Sequence, residues 1–212
     1  MKAEFISRVM QVMNELGWDD SGSNAFIGSD KTKVAEHIES VFIDVWRKAV
    51  NLFPKGYFEV KDFSASGLVG DSDTGAGYVL LPGDFYTLYS FRMERWQKAV
   101  ETFLEYSDPL ASIQANEYTR GNEVRPVCVR NTKLVGTAIV SVLEYYSILR
   151  GFEHKIQEAL YIPLIAPLSE DAMVSEKLFI PLVYLCASQV FSIFEKPDVA
   201  KVLEAKAIEM VK

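Results

Sequence analysis

Cysteine and histidine are scarce in this sequence, two of each in 212 residues. Cys128 and Cys186 have no partners at metal-ligand spacing and both lie in apolar stretches. They read as reduced, buried thiols of a cytosolic protein, which excludes a disulfide framework and a cysteine-based metal site. His37 lies amid charges and His154 sits between Glu153 and Lys155. Neither has another histidine, a cysteine or a paired carboxylate at ligand spacing, so both read as solvated surface histidines, without a metal or general-base role. Basic charge is also short: 22 Lys and Arg against 29 Asp and Glu give a net charge of −7. A general nucleic-acid binder needs a basic footprint, which this balance argues against. A local basic patch remains open, and an acidic surface suits a protein that DNA must pass without sticking. Glu4, Arg8 and Glu15 interrupt any apolar run near the start, so no signal peptide is expected.

What is present is an ordinary globular composition, 49% hydrophobic and 24% charged. A chain of this size buries roughly 70% of its unfolded surface without metal or disulfide staples. Phe5, Val9, Val12, Met13 and Leu16 share one helical face, with Gly17 as the stop, and a polar loop follows over 19–28. A second helix is predicted from about Asp30 to Phe53, capped by Ser29 or Asp30. Its Val34, Ile38, Val41, Val45 and Leu52 form one stripe, and Phe42, Trp46 and Phe53 the next. So wide an apolar arc either sits deep in a core or presents part of itself to a partner.

Past Pro54 and Gly56 the period changes. Phe58 and Val60 give a weak strand signal, and 64–77 reads as a small-residue loop. Tyr78 to Leu81 is apolar and ends in the turn Pro82-Gly83-Asp84. Phe85, Thr87, Tyr89, Phe91 and Met93 recur with period two, a half-buried strand, with Trp96, Lys98 and Val100 as its return. Asp108-Pro109 opens a short helix through Tyr118. A short strand is predicted over Pro126 to Arg130 and a central one over Thr137 to Tyr146. Helical pattern is expected to resume after Gly151. A long helix is predicted from Glu170 or Asp171 to Phe194, kinked or delayed by Pro181, and a last one from Pro197 with Val199, Leu203, Ala207, Met210 and Val211 on one stripe. Leu178 to Phe194 is barely long enough to span a bilayer core of about 30 Å. It carries Pro181, Ser188, Gln189 and Ser192, so it reads as a buried or subunit-contacting helix, with no membrane role. The fold class is therefore α+β: a helical bundle of N- and C-terminal helices (1–56 and 165–212) with a β-rich insertion (57–164).

The most motif-like segment is Gly70-Asp-Ser-Asp-Thr-Gly-Ala-Gly77. Gly70 and Gly75 have phosphate-loop spacing, but Ala76 and Gly77 replace the Lys and Ser/Thr that contact phosphate and magnesium. Asp73-Thr74-Gly75 lacks the apolar lead-in strand of an aspartic protease. Gly70-Asp71-Ser72 lacks the closing glycine of a nucleophile elbow. Asp71 and Asp73 lack the sixth-position glycine and twelfth-position glutamate of a calcium loop. The segment reads as a flexible surface loop, and no catalytic, cofactor-binding or metal-ligating residue is assigned. Two basic clusters, Arg92, Arg95 and Lys98 near Phe91 and Trp96, and Arg120, Arg125, Arg130 and Lys133, admit a single-strand contact or simply mark a wet hairpin face.

The order of elements resembles the head-to-tail adaptor, or connector-ring, proteins of tailed bacteriophages, the tail tubular protein A group and its relatives in crAss-like phages. The resemblance covers about Thr32 to Lys212. It is carried by the helix Val34–Phe53 ending at Pro54 and by Leu80-Leu81-Pro82-Gly83-Asp84-Phe85 leading into the strand Leu88–Met93. Trp96 and Val100, Gln114 to Thr119 before Arg125-Pro126-Val127, Leu143 and Tyr145, and a final helix opening at Pro197-Asp198-Val199-Ala200 continue it. It implies a closed, twelve-fold homo-oligomeric ring in the portal–tail region of the virion, assembled in the host cytoplasm. The ring would bind portal protein on one side and tail or other ring proteins on the other, around a channel in transient contact with packaged DNA. It implies no enzyme activity and no cofactor. Phe42, Trp46, Phe91, Trp96 and Gln189 are the residues expected at interfaces. Two other readings stay open: a monomeric module binding a partner through the Phe91–Trp96 hairpin, and a hydrolase using Asp71 or Asp73.

Overall fold

A computed structural model describes residues 2–15, 30–165 and 174–212. The described residues form five α-helices and eight strands in two sheets, the α+β class read from the sequence, with helices at both ends flanking a β-rich middle. They divide into two compact units, Met1–Glu59 with Leu164–Lys212, and Val60–Pro163. Leu16, Gly17, the 19–28 loop, the Ser29/Asp30 cap and the expected helix start at Glu170 or Asp171 lie outside the described side chains or residues.

The first unit is helical: α1 (Lys2–Glu15), α2 (Asp30–Leu52), α4 (Glu176–Ile193) and α5 (Pro197–Glu209), with a 3-10 turn at Lys55–Tyr57 after Pro54. α4 packs against the other three. It runs on through Pro181. The apolar stripes of α2 are buried at Val34, Ile38, Val41, Phe42, Val45, Trp46 and Phe53, whereas Leu52, expected in the first stripe, is exposed. Phe5 of α1 meets Phe42 and Phe179 edge to face, at 5.3 and 5.7 Å between ring centroids, a preferred aromatic geometry. On α5, Ala200, Leu203 and Ala207 face inward, but Met210 is exposed. α4 is the one described helix long and apolar enough to cross a membrane by length and composition. Its Leu178, Leu182, Leu185, Cys186 and Phe191 are buried within the unit.

The second unit holds both sheets. β1 (Lys61–Asp62), β8 (Ile156–Pro163) and β4 (Phe85–Met93) form an antiparallel sheet in the order β1-β8-β4. β2 (Leu68–Asp71), β3 (Ala76–Leu80), β7 (Ala138–Tyr145), β6 (Cys128–Val135) and β5 (Leu104–Glu105) form the other, parallel only between β5 and β6. One core unites them, with Leu88, Phe91, Met93, Ala159 and Tyr161 from the first sheet and Val79, Cys128, Leu143 and Tyr145 from the second. Trp96 is buried in the same core.

Four expectations are corrected here. The partner of β4 is β8, and 96–100 contributes only an isolated bridge between Phe91 and Val100. The segment after Gly151 is a strand, not helix: Gln157, Glu158, Ala159 and Leu160 have fair helix propensity, but pairing and burial against β4 and β1 override it. The 64–77 stretch contains β2 and the start of β3, joined by a tight turn. The helix after Asp108 is short, α3 (Pro109–Ile113), with the Asp108 carboxylate accepting the Leu110 amide at 2.8 Å as its cap.

Candidate functional site

The glycine segment is built around its own chain. At its turn, the Asp71 carboxylate accepts the Asp73 amide and the Thr74 hydroxyl, both at 2.9 Å. These bonds, Thr74 foremost, hold the carboxyl below the usual aspartate range. Asp71 is thus the side-chain brace of a turn. The connection from β7 to β8 lies across this turn like a strap. Ile148 donates its amide to the Gly75 carbonyl at 3.2 Å, and Gly151 donates to the Ser72 carbonyl at 2.9 Å. Gly75 has φ +71, and a β-carbon there would drive into the Ile148 carbonyl oxygen, so glycine is required twice over. At Gly70 a β-carbon would come 2.5 Å from the His154 ring. The expectation of a flexible loop is therefore corrected: the glycines are where the strap seats.

His154 is not a solvated surface histidine. Its Nδ1 lies 2.7 Å from the Tyr145 hydroxyl, and its Nε2 is enclosed with no hydrogen-bond partner. Burial lowers its pKa, opposed by the charge of Asp71. His37 is exposed, its ring edge-on to Phe194. Burial raises the thiol pKa of both cysteines, the condition of inert structural thiols.

Beside the turn, an open depression of about 240 Å³ is lined by Asp71, Thr74, Tyr78, Lys133, Glu144 and Tyr146 among others. Glu144 is nearly enclosed on β7. Lys133 reaches it at 2.8 Å, the Tyr146 hydroxyl donates to it at 2.7 Å, and the Asn131 amide donates at 3.3 Å. Lys133 also lies over the Tyr78 ring, 5.1 Å from its centroid. Burial first, then Glu144, pushes the Tyr146 hydroxyl pKa upward. The carboxylate is saturated by groups of its own sheet, an arrangement that locks strands together. Among the described residues, no three His, Cys, Asp or Glu side chains are grouped to hold a metal ion.

The residues expected at interfaces are placed differently from one another. Phe42, Trp46, Phe91 and Trp96 are all at or below 2% exposure, enclosed by their own unit, so they are corrected to core residues. Trp46 meets Phe58 edge-on at 5.3 Å. Trp96 contacts Phe91 and Tyr145, and its indole N–H donates to the Ser147 carbonyl at 3.2 Å. Gln189 is half-buried on α4, while its neighbour Ser188 is committed to α5 through a 2.7 Å bond to the Ala200 carbonyl. Several side chains of the two basic clusters are engaged within the chain. Arg95 pairs with Glu123 at 2.7 Å and stacks on Phe152, Arg92 donates to the Trp96 carbonyl, and Arg130 faces Glu105 at 3.8 Å.

One surface feature was not predicted. β6 and β7 form a regular hairpin closed by Gly136-Thr137, and its tip exposes Leu134, Val135 and Ile139. A glycine opening a two-residue turn between β-branched runs is the signal that joins these strands. Placing one strand's end at Arg130 hid it. No protein-family model matches this chain, and no curated protein matches it.

Proposed function

We propose that this chain is a structural virion protein, a head-to-tail connector that closes into a ring between portal and tail around the DNA channel. The observation that favours it is where the chain invests its surface. Its most motif-like segment is spent on seating a strap, while uncharged apolar side chains stand exposed on a projecting hairpin. Solvent-exposed apolar clusters of that kind are characteristic of protein contact sites. The layout along the chain, terminal helices before and after a β-rich insertion, follows the order on which the resemblance to connector rings rests. The net charge of −7 supports a wall along which DNA slides, because phosphates find few counter-charges there. Copies of the chain meet head to tail in this reading, as closed cyclic assemblies require. Portal protein binds on one side and tail or further ring proteins on the other.

Electron microscopy of the purified chain mixed with its portal protein tests the reading. Annular density stacked on the portal is expected. Bare portals beside free monomers would contradict it.

A further inference from the structure

The segment from Gly70 to Gly77 serves two faces of its sheet, because side chains alternate along a strand. Gly70 and Gly77 lie on the inner face, where the His154 ring and the Tyr145 hydroxyl leave no room for a β-carbon. Asp71 and Ala76, paired across β2 and β3, belong to the outer face. There Tyr78 lies opposite Glu144, and Tyr146 is bonded to the same carboxylate. Ala76 is the one small side chain among these five, and with the other four it lines the depression of about 240 Å³.

The walls are held in place by the chain itself. Tyr146 is fixed by Glu144, the Tyr78 ring by Lys133, and Asp71 by the Thr74 hydroxyl and the Asp73 amide. Preorganisation of this kind lowers the cost of binding a ligand. The charges, however, do not balance. Asp71 and Glu144 bring two negative charges, and Lys133, the one cation among the described lining residues, is engaged with Glu144 at 2.8 Å. Asp71 is exposed and has no Lys or Arg partner among the described residues. A carboxylate offers roughly four lone-pair positions. One oxygen of Asp71 accepts the Asp73 amide and the other the Thr74 hydroxyl, so each keeps a position open. Two adjacent acceptors match the paired N–H groups of a guanidinium fork.

We propose that this depression binds a guanidinium group, carried by a small molecule or by an arginine side chain. A planar, weakly hydrated guanidinium stacks on tyrosine rings, whereas an ammonium keeps its water in so open a site. Tyr78 already takes one cation, Lys133, at 5.1 Å from its centroid. An anion would meet two carboxylates and a lysine that is already paired. The depression is smaller than the roughly 300–1,000 Å³ of pockets that enclose a drug-sized ligand, so it takes a head group and leaves the rest outside. Binding here is independent of whether copies of the chain close into a ring.

Saturation-transfer NMR observed on the ligand tests the site with the full chain at any assembly size. The probes are ethylguanidinium chloride and a blocked Gly-Arg-Gly peptide, with ethylammonium chloride and the citrulline version of the peptide as comparisons. At least one guanidinium probe should give a saturable signal, with ethylammonium weaker by about tenfold and the citrulline peptide silent. Tighter binding of the peptide identifies a side chain as the source, and tighter binding of ethylguanidinium a small molecule. Asp71→Asn keeps an acceptor for the turn, and Tyr78→Leu leaves the turn untouched. Each should keep the wild-type circular dichroism and weaken guanidinium binding, by about tenfold for the lost charge. Signals that never saturate, equal binding of the citrulline peptide, or affinity unchanged in both variants would overturn the proposal.

Discussion

Gly75 lies directly beneath the carbonyl of Ile148, so close that any β-carbon at position 75 would collide with that oxygen. The contact joins the turn between β2 and β3 to the strap between β7 and β8. Backbone on both sides leaves no flexible side chain to move aside. Gly75→Ala is expected to destabilise the second unit by about 2–4 kcal/mol, combining left-handed strain of ~1–3 kcal/mol with displacement of the strap. Gly56→Ala, where the added carbon meets nothing within 4 Å, should shift stability by less than about 1 kcal/mol. Urea unfolding midpoints of the two variants check this directly.

His154 gives the strap a pH dependence. Its pKa in the fold is lowered by burial, with Asp71 opposing, while the unfolded value is near 6.5. The folded state therefore binds fewer protons than the unfolded state between those two values. Stability is fully present above about pH 6.5 and declines as pH falls through the lowered pKa. The Tyr145 hydroxyl and the Asp71 carboxylate are the polar groups that face the ring. Unfolding midpoints measured from pH 8 to 5 should fall for the wild type, and His154→Gln should remove most of that slope. A wild-type profile as flat as the variant's would count against the buried, half-partnered ring.

Asp84 ties three strands at the start of β4. It accepts the Tyr161 hydroxyl from β8 and the Lys61 ammonium from β1, each at 2.7 Å. Asp84→Ala should cost about 1–3 kcal/mol, mostly through the stranded Tyr161 hydroxyl, because the exposed Lys61 pair contributes little. Tyr161→Phe in the same background should recover part of the loss. A double-mutant cycle on thermal unfolding measures the coupling.

Trp96→Ala separates folding from contact. Trp96 is 1% exposed and packed against Phe91 and Tyr145, so truncation should cost about 3–5 kcal/mol through the cavity left behind. Loss of near-ultraviolet circular dichroism should accompany any loss of assembly. Failure to assemble with intact tertiary structure would return Trp96 to an interface.

Much of the fold was legible because its signals are local. Phe5, Val9, Val12 and Met13 on α1, the alternation from Phe85 to Met93 on β4, and Leu203 and Ala207 on α5 follow from period alone. β8 was not legible, because Gln157 to Leu160 favour helix and only the pairing of Leu160 with Ser90 and Asp62 makes them a strand. The glycine segment misled because sequence shows missing side chains but not what fills the space, here the Ile148 carbonyl and the His154 ring. The wide arc of α2 posed the same difficulty: periodicity shows that Phe42 and Trp46 will be covered, and only the fold shows that their own unit does the covering. The hairpin tip was the converse, residues dense enough in branched side chains to read as core that end in solvent.

In the proposed function, copies of this chain close into a ring. Light scattering of the purified chain, alone and with portal protein, over a concentration series measures whether they do. A single high-mass species is expected, a whole-number multiple of the 23.9 kDa chain, whose mass does not grow further with concentration because a ring has no free ends. A monomer at every concentration with portal present, or a mass that rises without limit as an open filament would, contradicts it.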